Sequence, residues 1–286
     1  MHIDRLLTVY FFDPLTKILR RGNIKGIPIL MYHSISDDGE KETHRYYSIN
    51  TSPKIFNTHL DYLRDNEYVV INLSDAVSYL ITGTPIPNKF LVITFDDGYR
   101  DFYTNAFPIL KQHAFSCTVF LPTGFIEGRR PGLKDKEHMN WDEVRTLSKE
   151  GIKFGSHTVT HPQLALLNKD GILYELKHSK ESIEDNIGEA VESFSYPFAF
   201  PEANKPFKSL LSHIIDECGY KNGVSTRIGI ATYGENKYFL KRIPINTHDD
   251  ELFFRAKLEG SYDWLNKLQY VFKRFKNLDL FGKRKH

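Results

Sequence analysis

Eight short stretches rich in β-branched and aromatic residues recur along the 286 residues, and most are followed by a segment with helical apolar spacing. The strand candidates are Ile27 to His33, Val69 to Leu73, Phe90 to Asp97, Cys117 to Pro122, Lys153 to His157, Ser193 to Phe198, Gly223 to Arg227 and Phe239 to Ile245. Helical patterns over Pro53 to Asn66, Tyr99 to His113, Trp141 to Glu150, Asn168 to Ile187 and Pro206 to Cys218 separate most of them. A helix between two strands carries the chain back to the starting end of the sheet, so successive strands run parallel. Eight such units without a linker predict one α/β domain, and a closed barrel is the economical way to bury both faces of that many parallel strands. Gly124 to Asn140 is polar and glycine-rich, which predicts a long loop over one end of the sheet.

Composition narrows the function classes. A chain that is 41% hydrophobic and 26% charged is neither disordered nor fibrous, and a formal charge of +2 gives no reason to expect nucleic acid as partner. The two cysteines, Cys117 and Cys218, form no CxxC, so neither a disulfide framework nor a cysteine zinc site is expected, and reducing cytosol is compatible. No run reaches the roughly 20 apolar residues of a membrane span.

The termini set the expected organisation: an amphipathic segment over 1–26, a catalytic domain over 27–260, and a basic aromatic tail over 261–286. The first apolar stretch is short and is followed by Asp13, Lys17, Arg20 and Arg21, with no small-residue cleavage site, so the reading is a cytoplasmic protein rather than an exported one. Leu6, Leu7, Tyr10, Phe11, Leu15, Ile18 and Leu19 fall at helical spacing; Trp264 to His286 mixes aromatics with lysine and arginine. Two readings stay open: both ends pack on the domain or a partner subunit, or both touch the inner membrane surface peripherally. Oligomeric state is left open.

In a parallel barrel the chemistry collects where strands end. The third strand ends in Asp96-Asp97, two adjacent carboxylates that repel each other and cost desolvation unless something positive is nearby. The first ends at Met31-Tyr32-His33, the fifth in Ser156-His157-Thr158-Val159-Thr160-His161, and the next in Tyr196-Pro197-Phe198. The H-x3-H spacing of His157 and His161, with one carboxylate, makes a three-ligand set that leaves positions open for water and substrate. Adjacent side chains at a strand end diverge, so one aspartate can bind a metal while its neighbour acts as a base. A pair that only caps the strand and helix ends is the competing reading.

The motifs Thr94-Phe-Asp-Asp-Gly98, Ser156-His-Thr-Val-Thr-His161 and Tyr196-Pro197-Phe198, supported by Met31-Tyr-His-Ser-Ile35 and Met139-Asn-Trp141, resemble the polysaccharide deacetylases with a NodB homology domain, carbohydrate esterase family 4. The resemblance covers about residues 27 to 245. It implies a single deformed (β/α)7-8 barrel and metal-dependent removal of an N-acetyl group from an amino sugar, with release of acetate. It also implies that Asp97, His157 and His161 bind a divalent metal, commonly zinc in this family, that Asp96 is the general base, and that the backbone near Phe198 stabilises the oxyanion.

The chain departs from the commonest pattern in two places. The histidine that serves as acid is expected in a Leu-x-His motif, where this sequence has Leu240-Lys-Arg and then His248 out of pattern. A branch that includes poly-N-acetylglucosamine deacetylases resembles a circular permutation with the acid on an early strand, which points to His33. The usual arginine before Tyr196-Pro197 is missing, and Arg242 is a candidate replacement by charge and fork geometry. Trp141 reads either as a wall of the sugar groove or as a core residue. The implied partner is an N-acetylated glycan or a lipid-linked sugar, in surface polysaccharide biosynthesis. The alternatives are a deformylase of a lipid-linked amino sugar, a glycan-binding pseudoenzyme, and a metal phosphoesterase, which usually needs more carboxylates than this rim offers.

Overall fold

Strands β1 (Ile29–Tyr32), β2 (Ser34–Ile35), β3 (Asn50–Thr51), β4 (Val69–Val70), β5 (Phe90–Phe95), β6 (Thr118–Leu121), β7 (Lys153–Ser156), β8 (Ser193–Ser195), β9 (Asn222–Ile228) and β10 (Leu240–Pro244) alternate with helices. The helices are α1 (Ile3–Leu7), α2 (Asp13–Arg20), α3 (Pro53–Asp65), α4 (Leu73–Thr82), α5 (Phe107–Gln112), α6 (Trp141–Lys149), α7 (Lys169–Ile187), α8 (Lys205–Glu217) and α9 (Glu251–Leu258). The computed structural model describes residues 3–20, 26–38, 48–126 and 133–266. Part of the expected Gly124 to Asn140 loop and most of the C-terminal tail lie outside the described residues.

Strands β5, β6, β7, β8, β9, β10 and β1 pair in parallel in that order, and β1 returns to β5, closing a seven-stranded barrel. The eighth strand candidate, β4, pairs Val69 and Val70 with Phe90 and Leu91, just before β1 takes up β5 from Val92 onward. It is therefore an extension beside the barrel rather than a stave of it. The small β2–β3 pair lies outside the main sheet.

Alternation along β5 shows how the barrel is filled. Leu91, Ile93 and Phe95 join the main cluster with helix residues such as Phe56, Leu60 and Phe102, whereas Val92 clusters with Ile29, Phe120, Val224 and Leu240 from other strands. Val92, Thr94 and Asp96 thus share the inner face, because side chains two apart point the same way. Helix α4, which the sequence pattern did not separate from the strand before it, packs Leu73, Ala76, Val77 and Leu80 onto that inner set. Gly155 is required where β7 passes β6: a Cβ there would lie 2.5 Å from the Phe120 ring.

The region Tyr99 to His113 was expected to be one helix. It is a π-helical turn over Phe102–Ala106 followed by α5, in which Pro108 occupies the first turn. Proline has no N–H to donate, so its place is the first turn, where no intrahelical partner is needed. Five of the other helices begin with side-chain caps, Ser52 for α3, Asn140 with Glu143 for α6, Asn168 for α7, Asn204 for α8 and Asp250 for α9.

The N-terminal helical run docks through a mixed apolar and polar face. Thr8 and Val9 are buried, Phe12 stacks on Trp264 at 4.8 Å, and Asp13 accepts hydrogen bonds from Ser261 and Lys17. No helix among the described residues is long and apolar enough to cross a membrane.

Candidate metal and catalytic site

Asp96 and Asp97 follow β5 directly, His33 follows β1, His157 follows β7, Phe198 lies just past β8, and Arg242 is in β10. Closure of the barrel brings these strand ends onto one rim, which is why residues spread over more than 200 positions meet.

Asp97 Oδ1 lies 3.5 Å from His157 Nε2 and 3.4 Å from His161 Nε2. Among the described residues, these three form the one His, Cys, Asp and Glu group whose ligand atoms all fall within 4.8 Å of one another. Asp97, at φ 69°, and His161, at φ 52°, both sit in the left-handed region, where a non-glycine residue is strained and needs its surroundings to hold it. Gly98 follows at φ 59°, and a Cβ there would lie 2.8 Å from Leu121. The chain can therefore turn so sharply behind Asp97 only with glycine at 98.

The donor set fits a divalent cation. The Ser195 carbonyl, 2.8 Å from His157 Nδ1, can only accept, so Nδ1 carries the proton and the Nε2 lone pair faces Asp97. His161 also turns Nε2 to the same carboxylate oxygen, and burial beside His157 pushes its pKa down to about 4. Burial works against charge on His157 too, yet Asp96 and Asp97 outweigh it and raise its pKa. Burial likewise opposes ionisation of Asp97, but His157, His33 and His161 hold it well below the usual carboxylate range. Two imidazoles and an ionised carboxylate converge, and a three-ligand set of this kind leaves coordination positions for water and substrate.

Asp96 is treated differently. Arg242 is fully buried and forks onto it, Nη1 to Oδ1 at 2.8 Å and Nη2 to Oδ2 at 2.6 Å. Ser195 Oγ donates to Asp96 Oδ1 at 3.2 Å and accepts from Arg242 Nη2 at 3.0 Å. The guanidinium is further fixed by the Ser225 carbonyl and Thr94 Oγ1. Burial would raise the pKa of Asp96, but the arginine outweighs it and the carboxyl is held below its ordinary value. His33 Nε2 stands 4.0 Å from Asp96 Oδ2 with its side chain 19% exposed, and burial lowers its pKa despite both aspartates.

The remaining candidates divide. Phe198, at φ 59° and exposed, lays its ring 4.6 Å from that of His161. Tyr196 is buried in the core beside Phe200, and Pro197 sets the turn between them. Trp141 is 3% exposed and belongs to the main cluster, so of its two readings the core residue fits its burial. His248 sits in the turn that leads to α9, its N–H bonded to Asn246. Sequence reasoning did not single out Ser195, although its signal was present: it stands two residues before Pro197, in the region where the missing arginine was sought.

Comparison with known proteins adds a second line. The sequence model of the family described as polysaccharide deacetylase matches residues 84–222. The chain carries a polysaccharide deacetylase domain. It is thereby a carbohydrate N-deacetylase. It is 28% identical over 234 residues to the polysaccharide deacetylase YxkH of Bacillus subtilis, which spans 82% of this chain and 76% of that one. It is 24% identical over 209 residues to a poly-beta-1,6-N-acetyl-D-glucosamine N-deacetylase of Staphylococcus aureus, covering 70% and 68% of the two chains. Among solved structures, the Streptococcus pyogenes deacetylase PplD superposes with a TM-score of 0.71 at 26% identity, over 82% of this chain and 98% of that one. IcaB from Ammonifex degensii superposes with a TM-score of 0.68 at 22% identity over 83% and 98%, a likeness of fold.

Proposed function

We propose that this deacetylase hydrolyses the N-acetyl group of an amino sugar in a glycan or glycan precursor of surface polysaccharide synthesis, releasing acetate. Asp97, His157 and His161 would hold a divalent metal, zinc foremost. That ion would supply a Lewis acid for the acetamide carbonyl and an acidified water. Asp96, kept ionised by Arg242, accepts the proton of the attacking water, and the Phe198 backbone N–H donates to the oxyanion of the tetrahedral intermediate. His33, 4.0 Å from Asp96, relays the proton that Asp96 has taken up to the leaving nitrogen as the C–N bond breaks. One water is consumed: its hydroxyl ends in acetate and its proton on the freed amine.

The observation that carries this reading is the contrast between neighbours, Asp97 facing two imidazoles and Asp96 facing one guanidinium. A ligand needs an open partner and a base needs a fixed charge, and the two carboxylates are supplied accordingly. For the substrate we favour an N-acetylated sugar carried on a lipid at the cytoplasmic face of the membrane, because the N-terminal helix turns apolar residues outward.

The test is acetate release by zinc-loaded protein from a β-1,6-linked N-acetylglucosamine oligomer, from chitotetraose and from a lipid-linked N-acetylhexosamine. Acetate from at least one supports the reading, and the preferred substrate identifies the glycan. Glycan binding without acetate would overturn it in favour of a binding protein, and formate from an N-formyl analogue alone would overturn the acyl group assigned here.

A further inference from the structure

The N-terminal helical run docks on the domain through Val9, Phe12 and several polar contacts, and leaves an apolar stripe facing outward. Residues 3–20 form a continuous run, α1, a π-helical turn over Thr8–Phe12, and α2. The side against the domain is held by specific polar contacts: Arg5 to Asp250 at 2.5 Å, Trp264 Nε1 to Thr8 Oγ1 at 3.0 Å, and Ser261 Oγ to Asp13 at 3.0 Å. The opposite side carries Ile3, Leu7, Tyr10, Phe11, Leu15 and Ile18, each between 40% and 75% exposed. Their spacing of three and four residues puts them on one stripe. A contiguous stripe of six large apolar side chains is a surface that has a partner, not scattered exposure.

Charge identifies the partner. Arg5 and Lys17 are already paired with Asp250 and Asp13. Residues 267–286 contain seven lysines and arginines and one aspartate, a net charge of +6, interleaved with Tyr270, Phe272, Phe275 and Phe281. This segment starts directly after Asn266, two residues from Trp264, whose ring stacks on Phe12 of the helix. A chain this basic just beyond Trp264 is complementary to an anionic surface rather than to a second, equally basic copy of itself. An anionic lipid surface satisfies both features at once, taking the apolar stripe into the acyl boundary and the basic segment onto the headgroups.

We infer that the helical run of residues 3–20 is a docking surface for an anionic phospholipid membrane, its apolar stripe aided by the basic sequence that follows residue 266. The barrel then stands on the bilayer through its N-terminal helix. The two parts act as the pair of signals that stable peripheral binding needs.

The test uses the full chain in flotation with phosphatidylcholine vesicles, with and without phosphatidylglycerol, at low and high salt. Two variants accompany it: Phe11→Glu with Ile18→Glu, and Lys273→Gln with Arg274→Gln and Lys276→Gln. The wild type should float with the anionic vesicles and lose binding with added salt. Each variant should bind about tenfold more weakly or worse. Both should keep wild-type melting temperature and wild-type acetate release from a soluble oligosaccharide, so a loss of vesicle binding is separable from failure of the proposed activity. Equal flotation of wild type and variants, no flotation of wild type, or a wild-type dimer that Phe11→Glu with Ile18→Glu converts to monomer would each overturn the inference.

Discussion

Arg242 on β10 grips Asp96 at the end of β5 through both carboxylate oxygens, at 2.8 and 2.6 Å, inside the barrel and out of reach of water. The pair is one half of the site, and it makes the barrel wall and the chemistry depend on the same contact. Arg242→Met leaves a carboxylate buried without its partner, a change that costs about 3–5 kcal/mol. Urea unfolding should show that loss, and metal-loaded protein should release acetate at least ~100-fold more slowly because the proposed base is no longer held ionised. Arg242→Lys, a point charge without the fork, should fall between the two.

His33 is assigned to protonation of the leaving nitrogen, so its effect should depend on the leaving group. His33→Gln should lower kcat for an N-acetylated oligosaccharide by about 100-fold or more with little change in KM. For 4-nitrophenyl acetate, whose leaving group departs without a proton, the same variant should lose only a few-fold. Equal losses on both substrates would remove His33 from that role.

Two strand ends were readable because an apolar run stops at a polar residue, as Phe90 to Phe95 stops at Asp96 and Ile29 to Tyr32 at His33. Helix α4 was not readable: its Leu73 follows β4 so closely that the apolar pattern of strand and helix merged. Helix α9 spans only Glu251–Leu258, two turns, too short for its spacing to stand out. The position of Arg242 was ambiguous for a different reason. An arginine in a strand can point either way, and only barrel closure shows that it shares the inner face with Thr94 and Asp96. Ser195 illustrates the same limit, since its bonds run to residues 99 and 47 positions away.

A buried imidazole away from the site, His59, contributes to the loss of stability in acid. His59 Nε2 donates to the Asp249 carbonyl at 2.6 Å, its Nδ1 accepts from Tyr32 Oη at 3.1 Å, and its ring stacks on Phe254 at 4.1 Å. Burial pulls its pKa down to about 4. Below about pH 6.5 the unfolded chain binds a proton that the folded chain refuses, so stability present above that pH falls by about 1.4 kcal/mol per unit until the folded value is reached. His59→Gln cannot titrate, and its stability measured from pH 7 to 4 should fall less steeply than that of the wild type, from a lower starting point.

Gly155 reports on the packing beneath His157. A Cβ at this position would meet the Phe120 ring at 2.5 Å and the Ser193 carbonyl oxygen at 2.9 Å, neither with room to retreat. Gly155→Ala should cost about 1–3 kcal/mol in urea unfolding. It should also weaken metal binding, because Ser156 alone separates it from His157, the first histidine of the site.

The central claim is the division of labour between two neighbouring aspartates, and metal content measured beside turnover tests it most directly. Zinc-loaded Asp96→Asn should retain about one equivalent of metal and lose acetate release by at least ~100-fold, whereas Asp97→Ala should lose metal and turnover together. Loss of metal from Asp96→Asn, or an Asp97→Ala protein that keeps its metal, would contradict the assignment.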